Sequence, residues 1–164
     1  MFRIFTLIII FLFVNAGKYT YASNSSEQLG SIDFSTSVSG AAQKHFLHGV
    51  AALHSFWYTE ALSSFKKSVS LDSEFAMGYW GIAMAHNHPL WEEQDSESAK
   101  SALSKIKNIS KLTQREQDYI NAIRLLYGNG EKHARDKAYS KAMKKYTITT
   151  LMILRQHAFI AFPY

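Results

Sequence analysis

Three kinds of patterning divide the chain. Residues 1–23, "MFRIFTLIIIFLFVNAGKYTYAS", carry one cation at Arg3 and then a largely apolar run from Ile4 to Val14. Residues 24–40, "NSSEQLGSIDFSTSVSG", are polar and serine-rich without a sustained period. From Ala41 onward, alanine, leucine and aromatic residues recur at helical spacing, with no proline before Pro89. Alternation of the kind a strand needs is absent before Thr147, so the body reads as all-α. Helices are expected over 41–57, 59–70, 74–86 and 95–108, then from Thr113 to the glycines of "YGNG" (127–130), and over 131–145. Thr113 and Glu116 have the spacing of a capping box, and the acids of "EEQDSE" (92–97) suit the start of the fourth helix. Short helices of similar length joined by tight turns predict stacked hairpins.

The first segment has the three-part pattern of a secretory signal: a cation, an apolar stretch, and small residues that offer cleavage after Ala16 or Ala22. Its apolar run of eleven residues is short of the roughly 20 that a membrane span requires. A cleaved signal peptide over 1–22 is expected, which makes the protein exported, periplasmic or secreted. The alternative is an uncleaved anchor, the one route by which this chain would meet a membrane. With no cysteine present, a lipid anchor on cysteine is excluded and disulfides cannot contribute. Residues 23–40 are expected to be a flexible linker.

Self-comparison at an offset of 34 residues aligns Phe46 with Trp80, Gly49 with Ala83, Val50 with Met84, and His54 with His88. Counting from Gly49, Ala61 follows at 12 residues, Phe65 at 16 and the small Ser68 at 19. These spacings match the tetratricopeptide pattern, and each has a steric reason. Gly49, Ala61 and Ala83 are expected where helices cross closely, and Phe65 in the groove between one hairpin and the next. The pattern is not kept everywhere. Ser73 stands where a proline usually closes the unit, His48 holds a large apolar position, and "NHPLWEEQD" interrupts the second unit. The third unit keeps Ala122 and Ala134 at the 12-residue interval, followed by Tyr139.

"HFLHGVAALHSFWYTEALSSFKKSVSLDSEFAMGYWGIAMAHNHPLW", with "REQDYINAIRLLYG" and "RDKAYSKAMKK" behind it, resembles exported bacterial tetratricopeptide-repeat (TPR) proteins. The resemblance covers about 45 to 145. It implies a TPR-type α-solenoid of about three hairpins over 41–145, acting as a protein-binding scaffold without established catalytic residues. Members of that family are generally longer. The stretch "TITTLMILRQHAFIAFPY" (147–164) abandons the alanine spacing, so 146–164 is expected to be an aberrant apolar tail that leaves the third hairpin uncapped. A frameshift near codon 146 is the expected cause, and the downstream DNA tests it.

Charge and chemistry narrow the function. The net charge is +5, and it falls to +3 once Arg3 and Lys18 leave with the signal. The lysines are spread along helical segments rather than gathered, which argues against a nucleic-acid partner. There is no cysteine nucleophile, no G-x-S-x-G, no phosphate-cradling glycine loop and no H-E-x-x-H, so the protein is not expected to be an enzyme or to carry a cofactor. "HNH" (86–88) lacks the strand-and-helix context of the nuclease motif of that name. A concave groove formed by the first helices is expected to bind a protein or peptide through Phe46, Val50, Trp80 and Met84, with His54, Asn87 and His88 as polar contacts. The alternative is a metal site at His54, His86 and His88, since neutral imidazoles ligate transition metals. Trp57 is expected to pack over the first turn, and Trp91, in the insertion, offers an interface anchor.

Overall fold

The computed structural model describes residues 29–160, with side chains described as far as Thr147. The expected signal peptide and its cleavage points lie outside the described residues. Within them the chain is mostly helical: α1 Gly40–His54, α2 Tyr58–Leu71, α3 Ala76–Met84, α4 Ser96–Leu103, α5 Gln114–Leu126 and α6 Lys132–Ile160. None of these helices is long and apolar enough to cross a membrane.

Several boundaries differ from expectation for local reasons. Helix α1 stops at His54 rather than 57 because Phe56 takes a left-handed conformation (φ 60°), and the Trp57 N–H turns back to the Ala52 carbonyl at 2.9 Å. Helix α3 ends at Met84 because the insertion makes a small antiparallel ladder, β1 (Asn87–His88) on β2 (Glu93–Gln94), around a 3-10 turn at Pro89–Trp91. No strand was expected there, and two residues per strand leave no alternation to read. Asp95 caps α4 by accepting from the Ser98 N–H at 3.0 Å, as the acidic run suggested. The largest boundary difference lies at the end of the last helix, expected at 145. Helix α6 continues through 146 to Ile160, since neither glycine nor proline interrupts it and β-branched residues lower helix propensity only modestly.

Each consecutive pair α1–α2, α2–α3, α3–α4 and α5–α6 packs together, and α3 also touches both α1 and α5. The first helices of three hairpins therefore stand in a row. Gly49, Ala61, Phe65 and Ala83 are all buried, as expected of packing positions. The close approach is made by glycines on both sides of one ring. A Cβ on Gly49 of α1 would lie 2.7 Å from the Phe65 ring, and one on Gly81 of α3 would come closer still. A Cβ on Gly78 would sit 2.5 Å from Val69, so α3 lies against α2 along a face of two glycines three residues apart. Gly81 is thus pressed against Phe65. The Ala83 carbonyl accepts the Tyr127 hydroxyl at 2.8 Å. The third hairpin follows the repeat less well, because Ala122 is fully buried whereas Ala134 is exposed.

The expected linker is structured over residues 29–39. Phe34 is only 8% exposed, with its ring 5.3 Å from Phe46, 5.2 Å from Tyr119 and 6.1 Å from Trp80. The Arg115 guanidinium covers it at 4.3 Å. Gln43 donates to the Phe34 carbonyl at 2.8 Å, and the Ser37 N–H and hydroxyl donate to Glu116 Oε1 at 2.8 and 2.9 Å. An extended strap therefore crosses α1, α3 and α5 on one face. Serine content suggested looseness, but one aromatic anchor and a buried carboxylate hold the segment.

Candidate functional site

Glu116 shows how the strap and the helical body are joined. Its Oε2 closes the expected capping box, accepting from the Thr113 N–H at 3.0 Å and hydroxyl at 2.8 Å, while Oε1 serves Ser37. Burial alone would raise the pKa of this carboxyl. The hydrogen bonds from Ser37 and Thr113 outweigh that and hold it below the ordinary glutamate value.

Beside the strap lies a cavity of about 370 Å³. Val50 and His54 reach it from α1, Trp80 and Met84 from α3, and Asn87 from the insertion. These are five of the seven groove residues anticipated from sequence. Leu53, Pro89 and, shared with a neighbouring concavity, Phe56 and Tyr58 add to the wall, and Phe34, Met143 of α6, Tyr119 of α5 and Tyr139 of α6 complete it. Tyr119, Tyr139 and Phe34 were not anticipated, although a lone phenylalanine in a serine-rich stretch is a signal of its own. Burial raises the Tyr139 pKa, and no aspartate, glutamate, lysine or arginine lines the cavity. Asn87 Oδ1 is engaged by Gln94 at 3.0 Å, and His54 is exposed at the rim. The Trp80 indole is 5% exposed, and its Nε1–H has no hydrogen-bond partner among the described residues. A buried donor left without an acceptor is unfavourable by about 1–3 kcal/mol, and such groups are few in a folded protein.

Two of the expected groove residues lie elsewhere. Phe46 is fully buried beneath Phe34, with Phe65 and Phe75 around it, so it is floor rather than lining. His88 turns away from the groove because β1 reverses its side: its ring lies 4.1 Å from that of Tyr58, and Nε2 meets the Ala85 carbonyl at 3.1 Å. His86 borders a third depression, with Lys66, Tyr79 and Glu97. Burial lowers the His86 pKa, opposed by the Asp95 carboxylate at 3.8 Å. The three histidines of the metal alternative therefore face three different concavities. Among the described residues no three His, Cys, Asp or Glu side chains are grouped to hold a metal ion.

A second, open concavity of about 700 Å³ sits at the turn end of the hairpins. Phe56, Trp57, Tyr58 and Trp91 line it, together with His88, Glu60 and Glu93. Trp57 is 44% exposed rather than packed over the turn, and Trp91 is 57% exposed. The run Phe56-Trp57-Tyr58 was visible in the sequence, but only the fold sets it against Trp91. Comparison with protein-family models, with curated proteins and with solved structures found no match to this chain.

Proposed function

We propose that the protein is a non-enzymatic, exported TPR-type scaffold that binds an extended protein or peptide segment in the cavity beside the strap. The single observation that carries the reading is the cavity of about 370 Å³ that Val50, Trp80, Met84, Tyr119 and Tyr139 line beside the strap, with the buried Trp80 N–H left without a hydrogen-bond partner among the described residues. The strap supports it by example. It is an extended segment held on the same face by one aromatic ring and by donation from its own backbone N–H. The row of first helices α1, α3 and α5, with glycines at the crossing of α3 and Phe65, is the arrangement a TPR solenoid would have. Export rests on the signal-like residues 1–22 alone.

Selection of displayed ten-residue peptides on the purified chain tests the binding role. The expected consensus is apolar or aromatic, with peptides that shift the Trp80 indole resonance and lose binding to the Met84→Arg variant. Peptides that bind that variant equally well would remove the cavity from the reading.

A further inference from the structure

The turn-end concavity has a chemistry of its own. The chain is basic, yet this concavity is lined by two carboxylates, Glu60 and Glu93, and by no lysine or arginine. Its rings meet at corners rather than lying in one plane: Tyr58 and Trp91 are 6.0 Å apart at 80°, and Phe56 and Tyr58 are 6.4 Å apart at 63°. A flat stack of rings would suit a planar ligand, whereas perpendicular faces suit a compact one that meets several rings at once. Ring faces carry partial negative charge and attract cations, most strongly when the ring is tryptophan.

The backbone also goes out of its way to build this corner. Among the described residues, the two non-glycine positions with positive φ are Phe56 (60°) and Glu92 (56°), one in the first turn and one in the insertion. A bulky residue takes that conformation only against a steric penalty. It leaves Phe56, Trp57 and Trp91 about half exposed, a poor arrangement if burial were all that these rings served.

We infer that this corner binds a compact organic ammonium ion, with Tyr58 and Trp91 facing its cationic head and Glu93 supplying the counter-charge. The shared chemistry is an alkylated or primary ammonium group. Its source is either a small quaternary amine or a lysine side chain, and the two can be told apart by experiment. His88 backs the Tyr58 ring, and its Nδ1 lies 3.4 Å from Glu93 Oε2, which keeps that carboxylate at the rim.

The probes are choline chloride, its neutral isostere 3,3-dimethylbutan-1-ol, and Nα-acetyl-lysine methylamide, each titrated into the purified ¹⁵N-labelled chain. The indole N–H resonances of Trp57, Trp80 and Trp91 are the readout. Choline is expected to move the Trp91 and Trp57 signals and leave Trp80 in place, with the isostere about tenfold weaker. Glu93→Gln and Trp91→Ala should each weaken choline several-fold while the rest of the spectrum stays folded, since both side chains are exposed. Tighter binding of the lysine compound than of choline assigns the site to a protein side chain; the reverse order assigns it to a free quaternary amine. Equal response to choline and to its isostere, no response at Trp91, or undiminished choline binding in both variants overturns the inference.

Discussion

The second hairpin is tied to both neighbours by apolar packing, and to the third by a directed hydrogen bond as well. Toward the first hairpin, the fully buried Phe65 ring is gripped by Gly49 and Gly81. Toward the third, the Tyr127 hydroxyl reaches the Ala83 carbonyl in the last turn of α3. The first contact is one of shape and leaves no slack. The second adds a directed bond to apolar packing, with Trp80 and Tyr119 meeting edge-on at 5.5 Å, and it lands on a carbonyl in the last turn of α3 that also accepts the His86 N–H. The Phe65 contact is sensitive to any change of volume, whereas the Tyr127 bond is sensitive to loss of its donor.

The Phe65 seam should therefore respond most. Phe65→Ala is expected to destabilise by about 4 kcal/mol, by loss of the ring and creation of a cavity. Gly81→Ala is expected to cost about 2 kcal/mol, because the added methyl group meets a ring with no room to retreat. Urea unfolding followed by far-UV circular dichroism measures both. If Gly81→Ala were neutral, α3 would not rest on Phe65 as described.

The strap spans both seams, so its anchor sharpens the comparison. Glu116→Gln should destabilise by about 2 kcal/mol at neutral pH, since it weakens charge-assisted bonds to Ser37 and Thr113. The depressed pKa of Glu116 means the unfolded chain binds its proton more readily than the folded one. Its contribution is complete above the ordinary glutamate value of about 4.3 and is lost as pH falls through the lower folded value. Asp95, held low mainly by its bonds from Ser98, adds to the same acid limb. Glu116→Gln should therefore shrink that limb without abolishing it. His86, lowered by burial, gives a separate and milder loss of stability as pH drops below about 6.5, and this should survive the substitution. Melting temperature measured from pH 7 down to pH 3 resolves the two.

What the sequence revealed follows the same division. The 34-residue offset pointed to Gly49 and Ala83, and the 16-residue spacing from Gly49 pointed to Phe65, because close contacts constrain side-chain volume. The capping box was legible because it is local, three residues from Thr113 to Glu116. The second duty of Glu116 was not, because Ser37 lies 79 positions away and only folding brings it near. Gly78 and Gly81 carried a signal that was passed over: two glycines on one helical face mark a close approach more directly than the repeat position at Ala83 does. His88 was misplaced for a different reason. The offset assumes an uninterrupted helix, and the β1–β2 insertion ends α3 before that position is reached.

The smallest expected effect tests the Tyr127 bond. Tyr127→Phe removes the hydroxyl and keeps the ring, which is 3% exposed and packed in the core. The Ala83 carbonyl keeps a second donor, the His86 N–H at 3.2 Å, so it is not left bare. The loss should therefore be about 1 kcal/mol, the net value of one ordinary hydrogen bond. Burial raises the Tyr127 pKa above that of a free phenol, so the hydroxyl stays protonated and the bond persists through mildly alkaline pH. A double-mutant cycle with Gly81→Ala then asks whether the two seams act independently. Additivity within about 0.5 kcal/mol means that α3 transmits nothing from one neighbour to the other, as expected for separate nearest-neighbour contacts. A larger coupling would mean that the shift of α3 forced by Gly81→Ala alters the reach of Tyr127, and that the three hairpins behave as one packed body.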